Sequence, residues 1–312
     1  MVYLSGSIAT TPGTPGFYGA YFGQLPLAER PASVIYLDVY TLNSTYAMLR
    51  IDTNGYLWAL NGDGPATGYT SLAGVSFPSS AIQQTGLMPL QNGWQSGQGS
   101  YNTGDPSYSV TSGIVHLSGS LIRPAGTPSD YFPSGTWAAA TLPASALPSD
   151  NCFQPLTYNY GGGIGSLPVD SGSGSGSGTL YGSNAQYTSL AGISYPPASA
   201  AWQPLTLLNG SNPLSWCNTA PSYFISGNVV YLTGAAALPG SNGEIAVLPP
   251  AARPAHELYM IINNYYGSGE NPTGFYLTLR IDPSGAMWIF NNPSGDSFVL
   301  PMLAGLSFHL GS

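Results

Sequence analysis

Tyr46-Ala47-Met48-Leu49-Arg50-Ile51-Asp52-Thr53-Asn54-Gly55-Tyr56-Leu57-Trp58 is a strand, a turn and a returning strand written in consecutive letters. Ala47, Leu49 and Ile51 alternate with Met48, Arg50 and Asp52. That period of two buries one face of a strand and leaves the other outside. Asp52 and Gly55 frame a type I turn. The same phrase returns as Tyr276 to Asp282, followed by Pro283-Ser284-Gly285 and Ala286-Met287-Trp288-Ile289-Phe290. Asp282 and Gly285 therefore repeat the structural turn of Asp52 and Gly55, and Trp58 and Trp288, at matching strand positions, read as core.

Other phrases recur at the same interval. Val2-Tyr3-Leu4-Ser5-Gly6 returns as Val115-His116-Leu117-Ser118-Gly119 and as Val230-Tyr231-Leu232-Thr233-Gly234. Ser71-Leu72-Ala73-Gly74-Val75-Ser76-Phe77 returns as Ser189 to Tyr195, and as Met302-Leu303-Ala304-Gly305-Leu306-Ser307-Phe308. The period is about 115 residues, a domain rather than a solenoid unit. Arg30-Pro31-Ala32 recurs as Arg253-Pro254-Ala255, whereas the middle copy has Leu147-Pro148-Ser149. Asn92-Gly93-Trp94 faces Asn209-Gly210-Ser211. The fold expected is all-β: three tandem antiparallel β-sandwich, jelly-roll-like repeats over 1–78, 79–197 and 198–312, the first incomplete at its N-terminal side. The first copy starts directly on Val2 and lacks about two strands that its siblings have. Its open edge is expected to be covered by another chain, with packing on the second copy as the alternative. The Ser-Gly tract 171–178 stands where the other copies have Asp-x-x-Gly, and reads as a lengthened hairpin loop.

Composition narrows the function. Of 312 residues only 6% are charged, with 5 arginines, no lysine and 13 acids, for a net charge of −8. A chain so poor in cations does not bind nucleic acid or an anionic membrane surface through its charge. No run of 18 apolar residues predicts membrane insertion, and no signal peptide is visible at the N-terminus. A surface that is soluble through hydroxyls and amides suits burial against neighbours, so an oligomer or larger assembly is expected. Cys152 and Cys217 sit at unmatched places in the repeats and read as free thiols, with a disulfide as the alternative.

The succession Asn-Gly-Trp, Pro-Ser-Tyr, Val-x-Leu-Ser-Gly, Leu-Pro to Arg-Pro-Ala, Asp-x-x-Gly and Ser-Leu-Ala-Gly-Ile-Ser-Phe resembles a module of bacteriophage tail proteins: tail fibres, minor tail proteins and receptor-binding proteins. The resemblance covers nearly the whole chain. It departs at Leu147, where the pattern has arginine, and at Ser211, where it has tryptophan. It implies a virion-surface β-sandwich, usually trimeric, that meets other virion proteins and copies of itself and often binds host glycans. No catalytic residue and no cofactor come with it.

Few residues of the chain carry reactive chemistry. His116, His256 and His309 are isolated, without metal-ligand spacing. Asp52 and Asp282 are one position in two copies, so they are not a catalytic pair. Asp63, Asp105, Asp130, Glu244 and Glu270 stand in apparent loops and are the acids left for glycan cleavage between subunits. Arg30 and Arg253 read as loop fasteners, with an acidic ligand as the alternative. Trp94, Trp137 and Trp216, Tyr158 and Tyr160, and Asn263, Asn264, Tyr265 and Tyr266 lie in or beside Gly/Ser/Asn-rich stretches. Planar rings with amides suit sugar faces, and suit packing between subunits as well. The expected function is a non-enzymatic virion protein contacting host glycans. The alternatives are a purely structural decoration or fibre protein and a glycan-cleaving depolymerase.

Overall fold

The computed structural model describes residues 1–9, 21–42, 45–60, 68–125, 138–159, 163–171, 178–182, 185–265, 276–290 and 299–311. Trp137, Tyr160, Tyr266, Asp63, Asp130, Glu270 and the interior of the Ser-Gly tract lie outside them. The described chain is all-β, in antiparallel sheets with one single-turn α-helix, Gln98–Tyr101, and short 3-10 turns at Leu27–Glu29, Ala144–Ala146 and Pro250–Ala252.

In the third stretch, a sheet ordered Gln203–Pro204, Ser222–Ser226, Val229–Thr233, Leu306–His309 lies against a second sheet. The second runs Gly243–Val247, Ala286–Phe290, Tyr276–Ile281, Leu258–Asn264, Pro301–Met302. Between them, Val230, Leu232 and Phe308 meet Leu258, Ile262, Leu279 and Ile289 in one buried cluster. The middle stretch repeats the four-stranded sheet as Gly86–Leu87, Ser107–Thr111, Ile114–Ser118, Ser194–Tyr195. Among the described residues the first has only Val2–Tyr3 paired with Ser76–Phe77 in that place, opposite a six-stranded sheet that contains Ile35–Thr41, Thr45–Ile51 and Tyr56–Leu60. Within this chain the third stretch reaches the Val2–Tyr3 strand: the Tyr3 hydroxyl bonds the Tyr231 hydroxyl at 2.8 Å. Ile114 and Val229 complete the cluster there.

The turns explain the arginines. Asp52 Oδ1 accepts from the amides of Asn54 and Tyr56, and Asp282 Oδ1 from those of Ser284 and Ala286. The glycine that ends each turn has φ of +80° (Gly55) or +88° (Gly285), open to glycine at little cost. Arg30 Nε and Arg253 Nε donate to the Leu25 and Leu248 carbonyls, alongside these glycines. In the middle stretch the Gly178 amide donates to the Asp170 carbonyl, as Gly55 does to Asp52. The Ser-Gly tract thus joins the ends of the same turn, and Leu147 lies beside Gly178 where the arginines stand elsewhere.

Three parts of the chain meet in a closed ring. Leu72, Leu190 and Leu303 each stay in the core of their own stretch. The alanine that follows does not. Ala73 joins the third core, Ala191 packs on the first, and Ala304 enters the second. The next residue presses on a neighbour's strand: a Cβ on Gly74 would lie 3.2 Å from Met260 Sδ, on Gly192 3.5 Å from Leu37 Cδ2, and on Gly305 2.8 Å from Pro155 Cβ. Met260, Leu37 and Pro155 hold one register position, because Asn264, Thr41 and Asn159 pair with Pro301, Thr70 and Thr188, each two residues before its Leu-Ala-Gly. First contacts third, third contacts second, and second contacts first. A head-to-tail contact that closes after three steps makes a ring.

The cysteines are bonded, which corrects the free-thiol expectation. Cys152 and Cys217 belong to different stretches, so their unmatched positions reflect a staple between second and third. Asn151 flanks it, donating from Nδ2 to the Trp216 carbonyl and accepting from the Asn218 amide. With the cysteines 65 positions apart in sequence, loop closure in the unfolded chain is worth about 4 kcal/mol. The double variant Cys152→Ala/Cys217→Ala is expected to melt roughly 6 °C lower, measured by calorimetry; an unchanged Tm would show that the staple stores no stability.

Candidate functional site

Strands Ile35–Thr41, Leu156–Asn159 and Leu258–Asn264 turn their non-core faces toward one another at the centre of the ring. Tyr36 stacks on Tyr158 with centroids 5.7 Å apart, and Tyr259 on Tyr40 at 5.1 Å, both at 22° between planes. The third such place is polar: Asn263 Nδ2 donates to the Gln154 carbonyl at 3.1 Å. In all three, one register position of a stretch meets the position four residues on in its neighbour. Midway between those positions stand Asp38, Leu156 and Ile261, lining a cavity of about 80 Å³.

Asp38 is the odd member of that trio. Parts of the residue are accessible, but both carboxylate oxygens are shut off from solvent and have no hydrogen-bond partner. Burial raises its pKa well above the ordinary carboxylate range. Further along the centre, Ser76, Ser194 and Ser307 are buried, with Ser76 Oγ 3.1 Å from Ser194 Oγ. Their cross-strand partners are Tyr3, His116 and Tyr231. His116 is 1% exposed with neither ring nitrogen bonded, and burial pushes its pKa down to about 4.

Of the expected ligand residues that lie within the described chain, most serve packing. Trp94 is buried in the middle core beneath Gly182, where a Cβ would collide with the indole. Tyr158 and Asn263 hold neighbouring stretches together, and Asn264 Oδ1 accepts from the Leu300 amide. All three stand beside Gly-rich stretches, in strands that meet at the ring's centre. Trp216 and Tyr265 do come together, centroids 6.0 Å apart, beside the disulfide, with Trp216 exposed. Glu244 is on a strand rather than a loop. Among the described residues the one grouping of potential metal ligands is Asp150, Cys152 and Cys217, and both its sulfurs are spent in the disulfide.

Residues read as core turn out to face outward. Trp58 is half-buried and Trp288 is 37% exposed. The alternation that buries Leu57 and Ala59 puts Trp58 on the opposite face, in cross-strand register with Arg50. The Arg50 guanidinium carbon lies 4.5 Å from the Trp58 ring centroid. Tyr21, 57% exposed, sits 4.5 Å from Tyr56 and 6.4 Å from Trp58. The matched Asp-x-x-Gly turns place the hairpin, but matching strand positions do not say which face of the sheet a residue takes.

No protein-family model, curated protein or solved structure matches this chain.

The central groups set two opposite pH dependences. Because the folded His116 takes its proton near pH 4 and the unfolded one near 6.5, stability is full above pH 6.5 and is lost as pH falls toward 4, by about 3 kcal/mol. His116→Tyr, the residue at the two matching positions, is expected to remove that slope in urea titrations at pH 7 and 4.5. Asp38 has the reverse sign: its raised folded pKa costs stability as pH rises above its unfolded value. Asp38→Leu is expected to stabilise by about 1–3 kcal/mol at pH 7, the scale of an unsatisfied buried polar group, and by little at pH 3.

Proposed function

We propose that this chain is a non-enzymatic virion surface protein, a tail fibre or receptor-binding component, made of three tandem β-sandwich repeats, the first incomplete. In this reading the repeats form a trimer-like head within one polypeptide, and its surface contacts host glycans. The observation that carries it is the ring of Leu-Ala-Gly contacts, in which each alanine enters or packs on a neighbour's core. The tail-protein resemblance implies a trimeric sandwich, and the ring supplies three-way packing from one chain. The hydroxyl- and amide-rich, charge-poor surface and the exposed rings of Tyr21, Trp216 and Trp288 agree with contact to hydroxyl-rich partners.

One observation favours a purely structural role instead: Trp94, Tyr158, Asn263 and Asn264 are committed to packing. Cleavage is the third reading; of the acids left for it, Glu244 stands on a strand. A glycan array probed with the purified chain, with polysaccharide viscosity followed in parallel, separates the three. Saturable binding without loss of viscosity is the expected result. Particle labelling by antibody with no glycan bound would favour the structural role, and a fall in viscosity would reveal an enzyme.

A further inference from the structure

The first and third stretches build the same cross-strand ladder on the non-core face of a sheet, running from the ring's centre outward, and finish it differently. Tyr36, Arg50 and Trp58 stand in register on three strands, as do Tyr259, Arg280 and Trp288. In the third stretch the cation is satisfied internally: Arg280 Nε donates to Glu257 Oε1, the single ion pair among the described residues. Glu257 directly precedes Leu258, which matches Ile35, so the corresponding residue of the first stretch is Val34. Val34 brings no carboxylate. Arg50 Nε is left buried without a hydrogen-bond partner, with its guanidinium against the Trp58 ring. Where the third stretch has Ala286, the first has Tyr56, with the exposed Tyr21 packed on it. The unneutralised cation is thus joined by two more rings.

We infer that Arg50, Trp58, Tyr56 and Tyr21 form a binding site for an acidic saccharide, its carboxylate on Arg50 and its apolar ring face on the aromatic side chains. This rests on the glycan-contact reading and gives it a place and a ligand charge. A guanidinium pairs with a carboxylate through parallel N–H donors, and an aromatic face accepts the C–H face of a sugar. The chain's net charge of −8 repels acidic ligands at long range, so an uncompensated arginine on a ring cluster is where one can be held.

The test is calorimetric titration of the full chain with hexagalacturonate, its fully methyl-esterified counterpart and 3′-sialyllactose. Binding of at least one of the two acids is expected. If hexagalacturonate binds, its ester should bind at least tenfold more weakly, and affinity should fall as salt is raised. Arg50→Gln should remove binding of the acids. Tyr21→Ala, at a surface position, should weaken it several-fold with Tm unchanged. Binding of neither acid, equal affinity for acid and ester, or full binding by Arg50→Gln would overturn the site. Glycan-array binding that survives both substitutions would sink this inference while leaving the proposed function standing.

Discussion

A leucine, an alanine and a glycine in succession divide their loyalties, and the rest of the molecule follows from that division. The leucine is held by its own core, so the turn cannot leave. The alanine is small enough to enter the neighbour's core without displacing it. The glycines, at φ of +82° to +85°, let the backbone close on the facing strand, where a side chain would be strained and at Gly305 would also collide. One such contact would be weak. Three in a cycle, all within one covalent chain, exclude the open alternatives.

The closed ring explains why so many tyrosines lie away from the cores. The chain has 22, and Tyr36, Tyr40, Tyr158 and Tyr259 stack in pairs between stretches. Tyr46 meets Tyr276 edge-on at 5.2 Å, and Tyr3 bonds Tyr231. Tyrosine suits a contact buried in the fold but polar at one end, and such pairs add about 0.5–1.5 kcal/mol beyond their area. The ring also accounts for its exceptions. Where the middle stretch has Gln154 instead of tyrosine, an amide contact replaces the stack. Asp38 and His116 are single polar residues at places where the matching positions are apolar or tyrosine, and they make the centre sensitive to pH in opposite directions.

Strands, turns and the repeat were legible in the letters because each is local: alternation along Ala47 to Asp52, the Asp-x-x-Gly frame, and phrases returning every 115 residues or so. How the stretches sit against one another was not legible. Ala73 and Leu72 are adjacent and both apolar, and nothing local says that they belong to different cores. The cysteines failed for the same reason, since comparing copies cannot reveal a bond between copies. The aromatics divided by environment: Trp94 lies under a glycine and Trp58 under an arginine, and only the sheet's facing tells them apart. A contrast between copies that could have been found is Glu257 against Val34, visible once the two arginine ladders are aligned.

Small-angle X-ray scattering of the purified chain in dilute solution tests the ring most directly. A closed body of this length should have a radius of gyration of about 20 Å, whereas repeats strung end to end would exceed about 25 Å. A concentration-independent value near the smaller figure, with the mass of one chain, is the result expected of three stretches latched to one another. A value at the larger figure, or compactness reached only when chains associate, would contradict closure within one polypeptide.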